Sequence, residues 1–168
     1  MKKLLQFALL AVLVFGTTAT MSAQKFGYVN SAKILSELPD MKAAESNLDA
    51  LRQQLQKKGQ TMLEKLQADY AAIQQKIERG ELSPAMQQQE GEKLQARQEE
   101  IAQFEQQMIS DLQNKRASLM EPILKKVNDA IAAVAKEGGY LFIFDKQVLL
   151  YGQDSADVSS AVRAKLNL

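Results

Sequence analysis

Two long runs of apolar residues at helical spacing, set back to back around one break, constrain this chain more than any other feature. Met41, Ala44, Leu48, Leu51 and Leu55 follow a 3,4 spacing, and the stripe continues through Met62, Leu66, Tyr70, Ile73 and Ile77. Glu45, Asp49, Arg52, Gln53 and Gln56 fall off it, so one face of a long helix is apolar and the remainder polar. Pro39 and Asp40 suit the entrance of that helix. The break reads GELSP at 80–84, with Ser83 as an N-cap and Pro84 at the first helical position. A second stripe runs through Leu94, Ile101, Phe104, Met108, Leu112, Leu119, Ile123, Val127, Ile131 and Val134, and stops at Gly138 and Gly139, a helix terminator.

A fold-back centred on residue 82 sets Tyr70 opposite Leu94, Leu63 opposite Ile101, Leu55 opposite Ile109 and Ala44 opposite Met120. The chain is thereby expected to form an antiparallel helical hairpin over about 39–137, an arm about 60 Å long at 1.5 Å per residue. Two consecutive steps of four, Met62 to Leu66 to Tyr70, predict a stutter that locally unwinds the coil. Pro122 falls at the base of the arm, where an interior proline removes a helix bond and is expected to kink the axis. Gly59 and Gly91 interrupt the helices, each at a cost of about 1 kcal/mol relative to Ala. They read first as tolerated weak points and second as places where the arm flexes. Met41, Met62, Met86, Met108 and Met120 read as seam fillers before they read as an adaptable binding surface.

The ends of the chain are different. Lys2 and Lys3 precede a run from Leu4 to Phe15 that is apolar apart from Gln6, and small residues follow at Ala19, Ser22 and Ala23. About a dozen apolar residues make a signal-peptide core, whereas a membrane span needs about 20. Residues 1–23 are therefore expected to be a leader cleaved after Ala23, with cleavage after Ala19 as the alternative. Two of the 21 basic residues lie in it, which leaves 19 against 20 acidic ones, a net charge of −1. A broad basic surface for nucleic acid is not expected. The absence of Cys excludes lipid acylation and disulfides, so stability has to come from packing or from oligomerisation.

Flanking the arm, 24–38 and 138–168 carry strand signals. KFGYVN at 25–30 reads as a short strand and YLFIFD at 140–145 as a longer one, buried on both faces over Leu141 to Phe144. DKQ then turns the chain into VLLY at 148–151, giving a hairpin. Ser155 is placed as the cap of a last helix with Val158, Val162 and Leu166 on its apolar side. The predicted fold is α+β, mostly α: a long helical hairpin on a small β body. About 45 residues from two distant ends make a marginal core, and open sheet edges favour assembly with further copies.

With these residues in view, the chain resembles the OmpH-like family of periplasmic outer-membrane-protein chaperones. The specific parts are the start, FGYVNSAKILSELPDMKAAESNL, and the ending, GGYLFIFD, VLLY and DVSSAV. The resemblance spans 24–168 as a single domain. It implies a jellyfish-like homotrimer whose β body carries three helical arms around a cavity for unfolded outer-membrane β-barrel proteins. It implies work in the periplasm without ATP. One departure concerns charge: the family's best-known member has positive arm tips, whereas between Gln60 and Glu100 this chain has five basic and eight acidic residues, a balance of −3. Contact with lipid or lipopolysaccharide is therefore not carried over.

Chemistry narrows the reading in the same direction. Without His or Cys there is no His-based triad, thiol nucleophile or ordinary zinc site, and no motif sets Ser, Lys, Asp or Glu as nucleophile and base. No enzyme activity, metal or cofactor is expected. The expected function is that of a holdase, which shields alternating apolar segments through many weak contacts. Leu63, Met86, Phe104 and Ile109 are the candidate client contacts, each also explicable as arm packing. Tyr28, Leu141, Ile143, Phe144, Leu149 and Tyr151 are the candidate oligomer core. The alternative is a structural coiled-coil adaptor of the envelope that binds a folded partner.

Overall fold

The computed structural model describes residues 24–168; the leader expected at 1–23 lies outside them. Strand β1 (Lys25–Val29) leads into a short helix α1 (Ser31–Glu37), then the long α2 (Pro39–Glu78) and the longer α3 (Pro84–Gly138). Strand β2 (Tyr140–Asp145), two single 3-10 turns (Lys146–Val148 and Asp154–Ala156) and helix α4 (Ser159–Lys165) complete the chain.

The local chemistry of the hairpin matches its sequence signals. Pro39 opens α2, and the Ser83 side chain accepts a hydrogen bond from the Met86 amide at the start of α3. Between them Gly80 takes a φ of 69°, a left-handed turn position that a Cβ would strain. Gly139 closes α3 in the same region, with a φ of 66°. At 40 and 55 residues the helices reach about 60 and 80 Å. The extra length of α3 runs past the arm into the body, where Ile123, Val127, Ala130 and Val134 join the core. Pro122 stands at that junction, and the helix continues through it.

The body is smaller in sheet content than expected. β1 and β2 pair in parallel as a two-stranded sheet, Phe26 with Phe142, Gly27 with Ile143 and Tyr28 with Phe144. The register shifts between Lys25 and Phe26, an extra residue that alters which β2 side chains turn inward. Tyr140 and Ile143 pack on the core, whereas Leu141, Phe142 and Phe144 are exposed. Burial of this run on both faces therefore does not occur in the single chain. VLLY is not a strand either: Val148 ends a 3-10 turn, and no element of the described chain pairs with 148–151, so the expected hairpin is absent.

The short helix α1 and the bridge that leads into the expected last helix add to the body. Asn30 caps α1 by accepting the Lys33 amide, and α1 delivers Ile34 to the core. On the outer side of β1, the Val158 amide donates to the Tyr28 carbonyl at 2.9 Å, a bridge that covers this edge and starts α4. Asp157, not Ser155, serves that start, accepting the Ser159 amide at 2.8 Å, while Ser159 Oγ accepts the Asn30 amide at 2.9 Å. Val29, Ile34, Leu38, Ala44, Val158, Val162 and Leu166 close the core against α3.

Candidate binding surfaces of the arm and the body

Along the arm the two helices meet in a thin seam. On α2 the half-buried or buried positions are Met41, Ala44, Leu48, Leu51, Leu55, Gly59, Met62, Leu66, Asp69 and Ile73. This corrects the expected stripe: Tyr70 and Ile77 are exposed, and the consecutive steps of four fall at Leu51, Leu55 and Gly59. Two seam positions escape an apolar pattern for physical reasons. At Gly59 the missing side chain makes room for Phe104, whose Cε1 is 3.4 Å from where a Cβ would stand. At Asp69 the carboxylate forms an ion pair across the arm with Arg97. Lys126 and Asp40 do the same at the base, at 2.7 Å. These pairs lie close to the fold-back register read from the sequence.

The candidate contact residues therefore divide. Leu63, Met86 and Ile109 are exposed, so they are not spent on the seam. Phe104 is half-buried, seated beside Gly59 with the Lys58 ammonium 4.8 Å from its ring centroid. Much of the polar surface consists of glutamines that donate to a carboxylate one turn on: Gln60 to Glu64, Gln88 to Glu92, Gln95 to Glu99 and Gln107 to Asp111. They hold acidic groups with neutral amides in place of cations.

On the body, the outward face of the sheet is aromatic. Phe26 and Phe142 stack with centroids 6.1 Å apart and planes 4° apart, and Phe144 continues the row at 6.1 Å from Phe142. All three are exposed, as are Leu141, Val148, Leu150 and Tyr151; Ile143 and Leu149 are half-buried. Tyr28 is buried within the chain, its ring close against Gly152 and 5.8 Å from the Lys146 ammonium. Burial, and behind it the carboxylates of Asp157 and Asp154, push its phenol above the usual 10.0. Together these side chains form an apolar surface that no part of the described chain covers.

A parallel β1–β2 pair that brackets a long helical hairpin, with the last helix back on the first strand, can be compared with known proteins. The profile described as Outer membrane protein (OmpH-like) matches residues 25–166, the whole body and the whole arm. The chain belongs to this OmpH-like family. Curated relatives include a protein named Chaperone protein Skp from Vibrio cholerae, 27% identical over 174 residues, and one of the same name from Yersinia enterocolitica, 28% identical over 166. Each alignment covers 96% of this chain and 97% of the relative. A crystal structure of a candidate OmpH-like outer membrane chaperone from Caulobacter crescentus CB15 superposes with a TM-score of 0.75, over 87% of this chain and 85% of that one. At 16% identity, that likeness establishes the fold. The OmpH-like architecture is thus kept while most side chains differ, consistent with an arm that needs only a seam and a polar exterior. No helix among the described residues is long and apolar enough to cross a membrane.

Proposed function

We propose that this OmpH-like protein is an ATP-independent holdase of the periplasm, which binds unfolded outer-membrane β-barrel chains between its arms and prevents their aggregation. In this reading residues 1–23 are a cleaved leader and 24–168 form one chaperone domain. The observation that carries it is the pairing of an uncovered aromatic sheet face with an arm whose exposed apolar side chains stand singly among glutamines. The first feature calls for further copies of the chain, and the second suits a client that must be held weakly and released. The family, and relatives named as chaperones, support the same reading.

Three copies are the proposed assembly. Leu141, Phe144 and Tyr151 would meet across the copies, with Ile143 and Leu149 beneath them and Tyr28 buried within its own chain. An unfolded barrel strand has an apolar side chain at every second residue and unpaired backbone groups, the ingredients of edge-to-edge aggregation. Leu63, Met86, Ile109 and the open edge of Phe104 would offer such a chain dispersed contacts. Each contact is weak, and the number of them retains the client, so no nucleotide is needed for release. The distal arm, at −3, gives no attraction to anionic head groups, and lipid binding forms no part of the proposal.

The test is light scattering from a urea-unfolded outer-membrane β-barrel diluted into buffer without ATP. The protein is expected to abolish the rise in scattering at near-stoichiometric amounts. Scattering that rises as in buffer alone, with the protein itself oligomeric, would instead favour an adaptor for folded partners. Phe144→Asp tests the assembly: an ionised carboxylate at the shared face should reduce the particle to single chains. A variant that keeps the parental mass would remove the sheet face as the interface.

A further inference from the structure

The two faces of the arm are not alike. Along α2, Leu63, Tyr70 and Ile77 are seven residues apart and stay on one edge of the helix, drifting only about 20° per heptad. They are 45%, 56% and 38% exposed. Lys58 and Lys65 lie five residues before and two after Leu63, which turns them to the other edge, and Lys76 follows Lys65 by three full turns. Shared clefts fix where that other edge points. Lys65 lines one surface cleft with Arg97 and Glu100, and Lys76 lines a second with Asp69, Glu90, Lys93 and Arg97. Lys58 covers the Phe104 ring on the same side.

Four of the five bases between Gln60 and Glu100, namely Lys65, Lys76, Lys93 and Arg97, therefore share a face with carboxylates. The fifth, Arg79, pairs with Glu81 in the turn. On α3, Ile109 is eight residues past the seam residue Ile101, about 80° round the helix, and Glu100 is about 100° round in the opposite sense. Ile109, 50% exposed, thus joins Leu63, Tyr70 and Ile77 on the face that those four bases leave free; nearer the body the same face carries Arg52 and Arg116, which line a cleft with Glu45 and Asp49.

We propose that the face bearing Leu63, Tyr70, Ile77 and Ile109 supplies most of the grip on an unfolded apolar chain, and that the lysine-bearing face, where Lys58 covers Phe104, adds little to it. The inference rests on the holdase reading and adds which side of the arm does the holding. Charge separates the faces: a desolvated ammonium or guanidinium penalises contact with apolar segments, and between Gln60 and Glu100 the ridge carries no basic side chain. Area decides the occupant. Four half-exposed side chains offer on the order of 400 Å² a side, well under the ~800 Å² per partner of a standard interface, so a second arm would not pack stably there. The α2 anchors are also about 10 Å apart along the axis, one per heptad where a coiled-coil seam needs two. A mobile chain that exchanges among anchors suits that spacing.

The experiment compares Leu63→Gln, Tyr70→Gln, Ile77→Gln and Ile109→Gln combined in one variant with Lys58→Gln, Lys65→Gln and Lys76→Gln combined in another. Both are titrated against a fluorescent, urea-unfolded eight-stranded outer-membrane barrel. The ridge variant is expected to bind roughly tenfold more weakly or worse, and the lysine variant within about twofold of the parent. In an otherwise parental chain, a photo-crosslinking residue at Tyr70 should capture the client and one at Lys65 should not, a readout independent of how the combined variants fold. Parental affinity in the ridge variant, or equal capture from both positions, overturns the assignment. A parent that binds no client overturns the holdase reading, and shows it before any substitution is made.

Discussion

Leu38, Ile34, Val127 and Val162 meet in the body from four separate elements or their junctions and are shut off from solvent. Along the arm, Leu48, Leu55, Leu66 and Ile73 lie between only two helices and stay half-buried, and beyond Ala44 the described arm reaches full burial only at Ile101. The difference is geometric. Two helices share a line of contact, whereas a sheet, two short helices and the end of a long one enclose a volume. The body is therefore the cooperative unit that fixes position, and the arm is a long, locally stabilised lever whose segments open at lower cost. Ion pairs reinforce the contrast. Arg163 to Glu37 at 3.0 Å and Lys165 to Glu137 at 2.7 Å tie α4 to the other body helices, while the arm relies on Arg97 with Asp69 midway and Lys126 with Asp40 at its base.

The largest expected break in this comparison is Leu38→Ala. Removing a fully buried leucine side chain costs about 2–5 kcal/mol, enough in so small a core to shift or abolish the cooperative urea transition. The same chemistry in the arm, Leu66→Ala, should cost only about 1–2 kcal/mol because the side chain is already half in water. Urea midpoints followed by circular dichroism check both, and equal losses would mean that arm and body unfold on the same terms.

Glycines sharpen the picture within the arm. Nothing lies within 4 Å of a Cβ built at Gly91, so Gly91→Ala should raise stability by up to about 1 kcal/mol through helix propensity. Gly59→Ala should gain less, because its Cβ meets the Phe104 ring at 3.4 Å. Melting temperatures in the order Gly91→Ala, Gly59→Ala, parent are expected. A larger gain at Gly59 would show that Phe104 yields freely and that the seam there is loose.

The smallest effect concerns pH. Burial raises the Tyr28 phenol above 10.0, so the folded chain keeps a proton that the unfolded chain has lost. The contribution is intact below pH 10 and declines as pH rises beyond it. Comparing the parent with Tyr28→Phe between pH 8 and 11 should show the parent losing more stability over that range. Parallel curves would mean that the phenol ionises freely in the fold.

What could be read from the sequence was what the sequence encodes locally. Ser83 with Pro84, Gly80 and Gly139 act within a turn of chain, and each stands where its chemistry required. The seam register was legible except where tertiary contact overrode pattern. Asp69 enters the seam because Arg97 neutralises it from the other helix, and Gly59 because Phe104 fills its place, so Tyr70 and Ile77 are released to the surface. Helix α1, at seven residues, is too short to show a period, although Asn30 is a usable cap signal. VLLY has strand composition but no strand partner within the described chain, and composition cannot say whether a partner comes from the same molecule. The candidate contacts Leu63, Met86 and Ile109 are legible as apolar residues left over from the seam; that two of them share a face with Tyr70 and Ile77 follows only from the clefts that Lys65 and Lys76 line.

The central claim is that a shared body assembles the copies while the arms hold an unfolded client. Native mass spectrometry of the protein, alone and after a urea-unfolded outer-membrane β-barrel is diluted into it, tests this most directly. Three copies alone and three copies with one client are the predicted masses. Single chains, or an oligomer that stays empty while the barrel precipitates, would contradict the account.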